Sequence, residues 1–180
     1  FFHAMKGFAK IASIVFSGLA LTACASFLAL NEVDFNNTVV TQINENSMAF
    51  EESAKSYNEL IPDIVTEKTT FEEGALETLE NLYKTAKNET QETENLIELK
   101  SKNPEQEAAA DEAITNYLSI ANDYLTHFDA MLEYYQSETY QKDVSQVKEL
   151  DDNLHSAYST FIEANNDLVE ALSPFVSASH

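Results

Sequence analysis

The segment Asn103-Pro-Glu-Gln-Glu-Ala-Ala-Ala-Asp-Glu-Ala-Ile-Thr-Asn-Tyr-Leu-Ser-Ile-Ala-Asn-Asp-Tyr-Leu-Thr-His-Phe-Asp-Ala-Met-Leu-Glu-Tyr-Tyr135 decides the fold. It opens with a helix start. Asn103 is placed to cap, Pro104 suits the first helical position, and Gln106 stands as the third-position partner. Ile114, Leu118, Ala121, Leu125, Phe128, Leu132 and Tyr135 then recur at alternating steps of four and three, which keeps them on one face of a helix. About 30 such residues make a helix about 45 Å long.

The same pattern recurs on both sides of this stretch. Upstream, a helix is predicted from about Asp34 to Ile61, with a face of Val39, Val40, Ile43, Phe50, Ala54, Tyr57, Leu60 and Ile61. Pro62 stops it. A second is predicted from Phe71 to Leu99, opened by Thr70-x-x-Glu73, or Thr69-x-x-Glu72, as a capping box. Its face is Phe71, Ala75, Leu79, Leu82 and Ala86, resuming at Leu96 and Leu99. Downstream, a helix is predicted from near Asp143, with Gln146 three residues on. Val147, Leu150, Leu154, Tyr158, Phe161, Leu168 and Leu172 form its stripe, and Pro174 marks its exit. Four amphipathic helices with short links predict an all-α domain over 34–174, an elongated antiparallel bundle. Only three glycines and three prolines punctuate the 180 residues, too few for the tight turns of an all-β fold.

One stretch departs from the pattern. Lys87–Asn95 (KNETQETEN) has no apolar residue over more than two turns. Either it projects beyond the other helices or it lines a polar interior, and projection avoids burying polar groups without partners. Projection is expected.

The N-terminal segment has a different character. Met5 is expected to be the start, with Phe1–Ala4 extraneous. Lys6 and Lys10 form a basic region, and Ile11–Leu21 (IASIVFSGLAL) is an apolar run too short to span a bilayer comfortably. Leu21-Thr22-Ala23-Cys24 follows and resembles the lipobox of bacterial lipoproteins. Small residues give a peptidase access to the bond before Cys24, and the thiol accepts a diacylglycerol as a thioether. Residues 1–23 are thus expected to be a removed signal peptide, Cys24 the lipid attachment site, and 24–33 a short lipidated leader. Cys24 is the sole cysteine, so no internal disulfide can form. The expected location is the cell envelope, on a membrane face or the cell surface. The membrane is reached through several acyl chains, which together anchor stably.

Charge excludes some partners. Lys6 and Lys10 are the only charged residues before Cys24. Removing them leaves eight lysines and no arginine against 31 acids, a formal charge of −23. Such a surface repels nucleic acid and anionic headgroups, whose binding depends on Lys and Arg meeting phosphate. Self-repulsion of this size is easier to bear at high ionic strength.

Chemistry-bearing motifs are sparse. Asp151 and Asp152 stand four and three residues before His155, so either carboxylate can lie beside the imidazole on one helix face. They are the candidate metal ligands. Di-iron bundles, however, need Glu-x-x-His on two helices, and the third helix offers only His127 with Asp123 or Met131 nearby. There is no C-x-x-C-H, G-x-S-x-G, H-E-x-x-H or glycine-rich phosphate loop. No enzyme and no cofactor are expected. Tyr134, Tyr135 and Tyr140, with Tyr158 and Phe161 following, are either a binding patch or the cap of the bundle core.

At these tyrosines the sequence resembles a family. Tyr134-Tyr-Gln-Ser-Glu-Thr-Tyr140-Gln-Lys-Asp143, then Leu154, Phe161 and Ala164-Asn-Asn-Asp167, is similar to the C-terminal half of the YiiG-like family of bacterial lipoproteins, over about 40 residues. The resemblance implies a helical fold and an envelope location, and carries no activity or site residues with it. Two functions follow as expectations. One is an anchored binding or structural module that meets an envelope protein or cell-wall component. The other is a bundle that binds a small ligand or metal ion. A dry core with Lys87–Asn95 exposed favours the first, and a pocket lined by His155 and acids favours the second.

Overall fold

The computed structural model describes residues 28–177. A two-residue strand β1 (Ala29–Leu30) leads into α1 (Glu32–Leu60). Then come α2 (Ala75–Glu94), a 3-10 turn (Asn95–Glu98) and strand β2 (Lys100–Ser101). The chain continues through α3 (Pro104–Gln136), a second 3-10 turn (Thr139–Gln141) and α4 (Val147–Ser177). Each helix packs against its neighbour in sequence, and α4 closes the ring against α1. Successive helices run in opposite directions, which makes an up-down-up-down four-helix bundle. β1 and β2 pair in parallel, Ala29 with Lys100 and Leu30 with Ser101, where α1 begins. That end is called here the strand end. The connections 61–74 and 137–146 lie at the other, the loop end.

The helix starts follow from their caps. Asn31 Oδ1 accepts from the Asp34 amide at 2.8 Å, and Glu32 and Asp34 favour the positive end of the α1 dipole. Ile61, held extended before Pro62, ends α1. Asn103 caps α3 as expected, accepting from Glu105 at 2.9 Å and from Gln106 at 3.4 Å. Gln106 does not return a bond to Asn103. Its amide donates to the Glu32 carbonyl at 2.9 Å and its oxygen accepts from Ser101 at 2.5 Å. The side chain expected to complete a cap instead ties together α1, β2 and α3.

Four expected boundaries are corrected, one of them the end of α2, which stops at Glu94 rather than Leu99. α2 begins at Ala75 rather than Phe71, after Gly74 with φ +80°, and the Thr70–Glu73 capping box does not form. Thr66 and Thr69 close their own local turn, at 3.1 Å and 2.8 Å. Phe71 packs edge-on against Tyr135 and Tyr140, with ring centres 5.1 and 5.4 Å away. Packing thus overrides local propensity at this point. α4 begins at Val147, because Asp143 spends its carboxylate on the Ser145 amide in the preceding loop, at 2.9 Å. Pro174 does not end α4, which runs on to Ser177. A proline cannot donate to the carbonyl four residues back. Here that carbonyl, on Glu170, accepts the Ser173 hydroxyl at 2.9 Å.

The polar stretch in α2 is a fifth correction. It does not project. Thr90 and Thr93 are buried against α1. The Thr90 hydroxyl is shared between the Ala86 carbonyl at 2.8 Å and Asn46 Oδ1 at 3.1 Å. Gln42 reaches the Glu89 carbonyl, the Glu89 carboxylate and Thr93 at 3.1–3.3 Å. The remaining polar residues of the stretch face solvent or sit at the rim.

The core is aromatic and threaded with hydroxyls. Phe50 stacks on Phe161 at 4.3 Å, and Tyr124 packs against Phe50, Phe128 and Tyr158. Two hydrogen bonds cross the bundle diagonally from α1 to α3. Asn46 donates to the Tyr117 hydroxyl at 2.7 Å, and Ser53 meets the Tyr124 hydroxyl at 2.8 Å. Ser47 donates to Asn165 of α4 at 2.8 Å. Tyr117, Tyr124 and Met131 are fully buried though absent from the expected α3 stripe, while Leu118 is only partly covered.

Candidate functional site

At the loop end a cleft of about 410 Å³ opens between α1, the chain following Pro62, and the first turns of α4. Its inner wall is polar and crosses between helices. Tyr57 of α1 donates its hydroxyl to Asp151 Oδ1 of α4 at 2.5 Å. The other oxygen of Asp151 lies 3.6 Å from His155 Nδ1. His155 Nε2 lies 3.4 Å from Asn58 Oδ1, back on α1. The chain of contacts Tyr57–Asp151–His155–Asn58 therefore leaves α1 and returns to it. Asp63 and Lys148 stand at the rim, with Ile64 and Val65 beside them.

Electrostatics hold the Tyr57 phenol protonated. Burial raises its pKa most, and the bond to the Asp151 carboxylate raises it further, since a phenolate there would face a like charge. Tyr135, which shares this cleft, is pushed up to about 12, again chiefly by burial. Both tyrosines act here as neutral walls, and Tyr57 also as a donor.

The candidate metal ligands are only partly brought together. Asp151 and His155 meet, but Asp152 turns to Lys148, with 2.5 Å between Oδ2 and Nζ. His127 pairs with Asp123 at 3.6 Å elsewhere on α3 and does not join them. Among the described residues no three His, Cys, Asp or Glu side chains gather as a cation site would need. Both ring nitrogens of His155 face oxygen, so the imidazole serves as a bridge between helices.

Tyr134, Tyr135 and Tyr140 do not form an exposed patch, since each is 4% exposed or less. They pack on one another and on Phe71, closing the loop end of the core. Two of their polar tips hold backbone. Tyr134 donates to the Asp143 carbonyl, and Tyr140 donates to the Thr69 carbonyl at 2.8 Å. A shallower cleft of about 400 Å³ lies on their outer side, between Phe71, Glu72, Glu77 and Glu138.

Tyr57 and Asn58 were not foreseen as site residues. Tyr57 reads from sequence as one member of an apolar stripe, and the partner of its hydroxyl stands 94 positions away. Only the rule that a buried phenol seeks a partner hinted at it. Leu21, Thr22, Ala23 and Cys24 lie outside the described residues. Among the described residues no helix is long and apolar enough to cross a membrane.

The fold and site define a class, a four-helix up-and-down bundle with a polar cleft at its loop end. No protein-family model, curated protein or solved structure matches the chain.

Proposed function

We propose that this chain is an envelope lipoprotein, exported by residues 1–23 and held to a membrane through lipid on Cys24. Its bundle then acts as a non-enzymatic binding module. One observation carries the reading. A basic start, a short apolar run and Leu21-Thr22-Ala23-Cys24 follow in order, and the sole cysteine stands four residues before the described domain. The resemblance of Tyr134–Asp167 to YiiG-like lipoproteins supports the same location. A core filled by aromatic rings, with the Tyr117 and Tyr124 hydroxyls bonded to α1, supports binding at the surface, to an envelope protein or cell-wall component.

The cleft favours a second reading, a small polar ligand held at the loop end. Its size suits a small molecule, and Asp151, His155, Asn58 and Lys148 offer both donors and acceptors. Membrane fractionation of Cys24→Ser tests the anchor, with release from the membrane fraction expected. A photo-crosslinker at Ile64, on the cleft rim, then separates the two bindings in intact cells. A covalent macromolecular adduct supports the module. Its absence, with thermal stabilisation by small polar compounds that His155→Ala abolishes, supports the ligand reading.

A further inference from the structure

Exposed large apolar side chains are unevenly placed on this bundle. Of Leu28, Val33, Met48, Ile64 and Ile97, three sit at the strand end: Leu28 (65% exposed), Val33 (44%) and Ile97 (36%). The β1–β2 pairing keeps them close. Ala29 pairs with Lys100, and the Lys102 amide donates to the Leu30 carbonyl at 2.8 Å. Leu28 therefore lies beside the chain leaving the 95–98 turn that carries Ile97, and Val33 follows in the first turn of α1. Pro174, also exposed, belongs to the last turns of α4, which finish at this same end.

Single exposed aliphatics are ordinary. The tether gives this group meaning. Cys24 precedes Leu28 by four residues, which span about 14 Å at full extension. If Cys24 carries lipid, the strand end cannot leave the bilayer surface, and it is the end where these side chains gather.

We infer that the strand end is a membrane-docking face, with Leu28, Val33 and Ile97 seated in the interfacial zone of the bilayer. The inference rests on the anchoring proposed above. It sets an orientation: α1, of 29 residues, stands away from the membrane and holds the cleft about 40 Å from it. The occupant is a zwitterionic lipid surface. Glu32, Asp34, Glu98 and Glu105 around Lys100 and Lys102 leave this end net acidic, which disfavours anionic headgroups, so apolar insertion supplies the attraction.

The test uses the full chain, purified from membranes and reconstituted in phosphatidylcholine vesicles that contain a spin-labelled lipid. Val33→Cys, Ile97→Cys and Ile64→Cys each take an environment-sensitive fluorophore. All three sites are exposed, and helicity checks their folding. Blue-shifted, quenched emission at positions 33 and 97, with neither change at 64 (79% exposed at the loop end), is expected. A vesicle-bound chain whose probes at 33 and 97 behave like the probe at 64 overturns the docking face and leaves the anchor standing. An unmutated chain that takes the label at Cys24 and does not sediment with vesicles overturns the anchor, and the inference with it.

Discussion

Tyr57 of α1 and Asp151 of α4 are joined by a 2.5 Å hydrogen bond at the loop end, with the phenol donating to the carboxylate. The ring belongs to the core and its tip to the cleft. The bond therefore fixes the spacing of α1 and α4 where the cleft opens. It also leaves only one Asp151 oxygen to face His155.

Tyr57→Phe removes this bond and keeps the packing. A hydrogen bond to a charged group contributes about 1.5–3 kcal/mol, but Asp151 is more than a third exposed and water can replace the phenol. A loss of about 1 kcal/mol is expected, read as a lower urea midpoint with unchanged slope. A loss above about 3 kcal/mol would mean that Asp151 is stranded without solvent.

Alkaline pH probes the whole core. Tyr57, Tyr117, Tyr124 and Tyr158 all have raised pKa values, with burial as the first cause in each, and Tyr135 is pushed up to about 12. Unfolded, each titrates near 10. Above that pH the unfolded chain has lost protons that the folded chain keeps. Stability is therefore complete below about pH 10 and falls as pH rises toward the folded values, by up to about 1.4 kcal/mol per unit for each tyrosine. Tyrosinate absorbance should appear together with loss of helicity, in one cooperative step. Smooth ionisation of most of the eight tyrosines near pH 10 with helicity intact would contradict this burial.

Asn46 is the centre of the diagonal polar layer, bonded to Tyr117 and Thr90. Asn46→Ala takes from the buried Tyr117 hydroxyl its 2.7 Å donor, leaving it only Ser47, and opens a small cavity. About 2–3 kcal/mol should be lost. Adding Tyr117→Phe removes the under-satisfied hydroxyl, so the double variant should lose at least about 1 kcal/mol less than the sum of the single ones. Strict additivity in a denaturation cycle would mean that the two side chains do not depend on each other.

What was legible in the sequence divides along these same residues. Four helices and their order were legible, because stripes at three-and-four spacing have one simple burial. The α3 start was legible too, since Asn103 and Pro104 act through bonds within a few residues. Thr70 failed as a cap because Phe71 is held by Tyr135 and Tyr140, more than 60 positions downstream. Lys87–Asn95 misled for a related reason. Its lack of apolar residues suggests exposure, but a threonine hydroxyl can satisfy itself on the carbonyl four residues back and then pack inward. Thr90 does this on Ala86, and Thr93 on Glu89. The cleft was half legible. Asp151 and His155 share a helix face by spacing, whereas Tyr57 and Asn58 reach them only through the packing of α1 on α4.

Salt should stabilise this protein, and the charge pattern says how. Lysines pair with acids at Glu80–Lys84, Lys100–Glu107 and Lys148–Asp152, each with an exposed lysine and so of small worth. Far more acids remain than lysines can neutralise, given the formal charge of −21 over 180 residues. Their mutual repulsion acts over about 30 Å at 0.01 M salt and over only a few ångströms near 1 M. That repulsion is stronger in the compact state than in the expanded one, so screening it favours folding. The midpoint of thermal unfolding should therefore rise from dilute buffer to about 0.5 M sodium chloride. Choline chloride at equal ionic strength should raise it equally, because screening does not distinguish the cation. A rise given by millimolar magnesium but not by choline would instead reveal cations bound among the acids. A midpoint indifferent to every salt would mean that the acids are spaced widely enough not to oppose the fold.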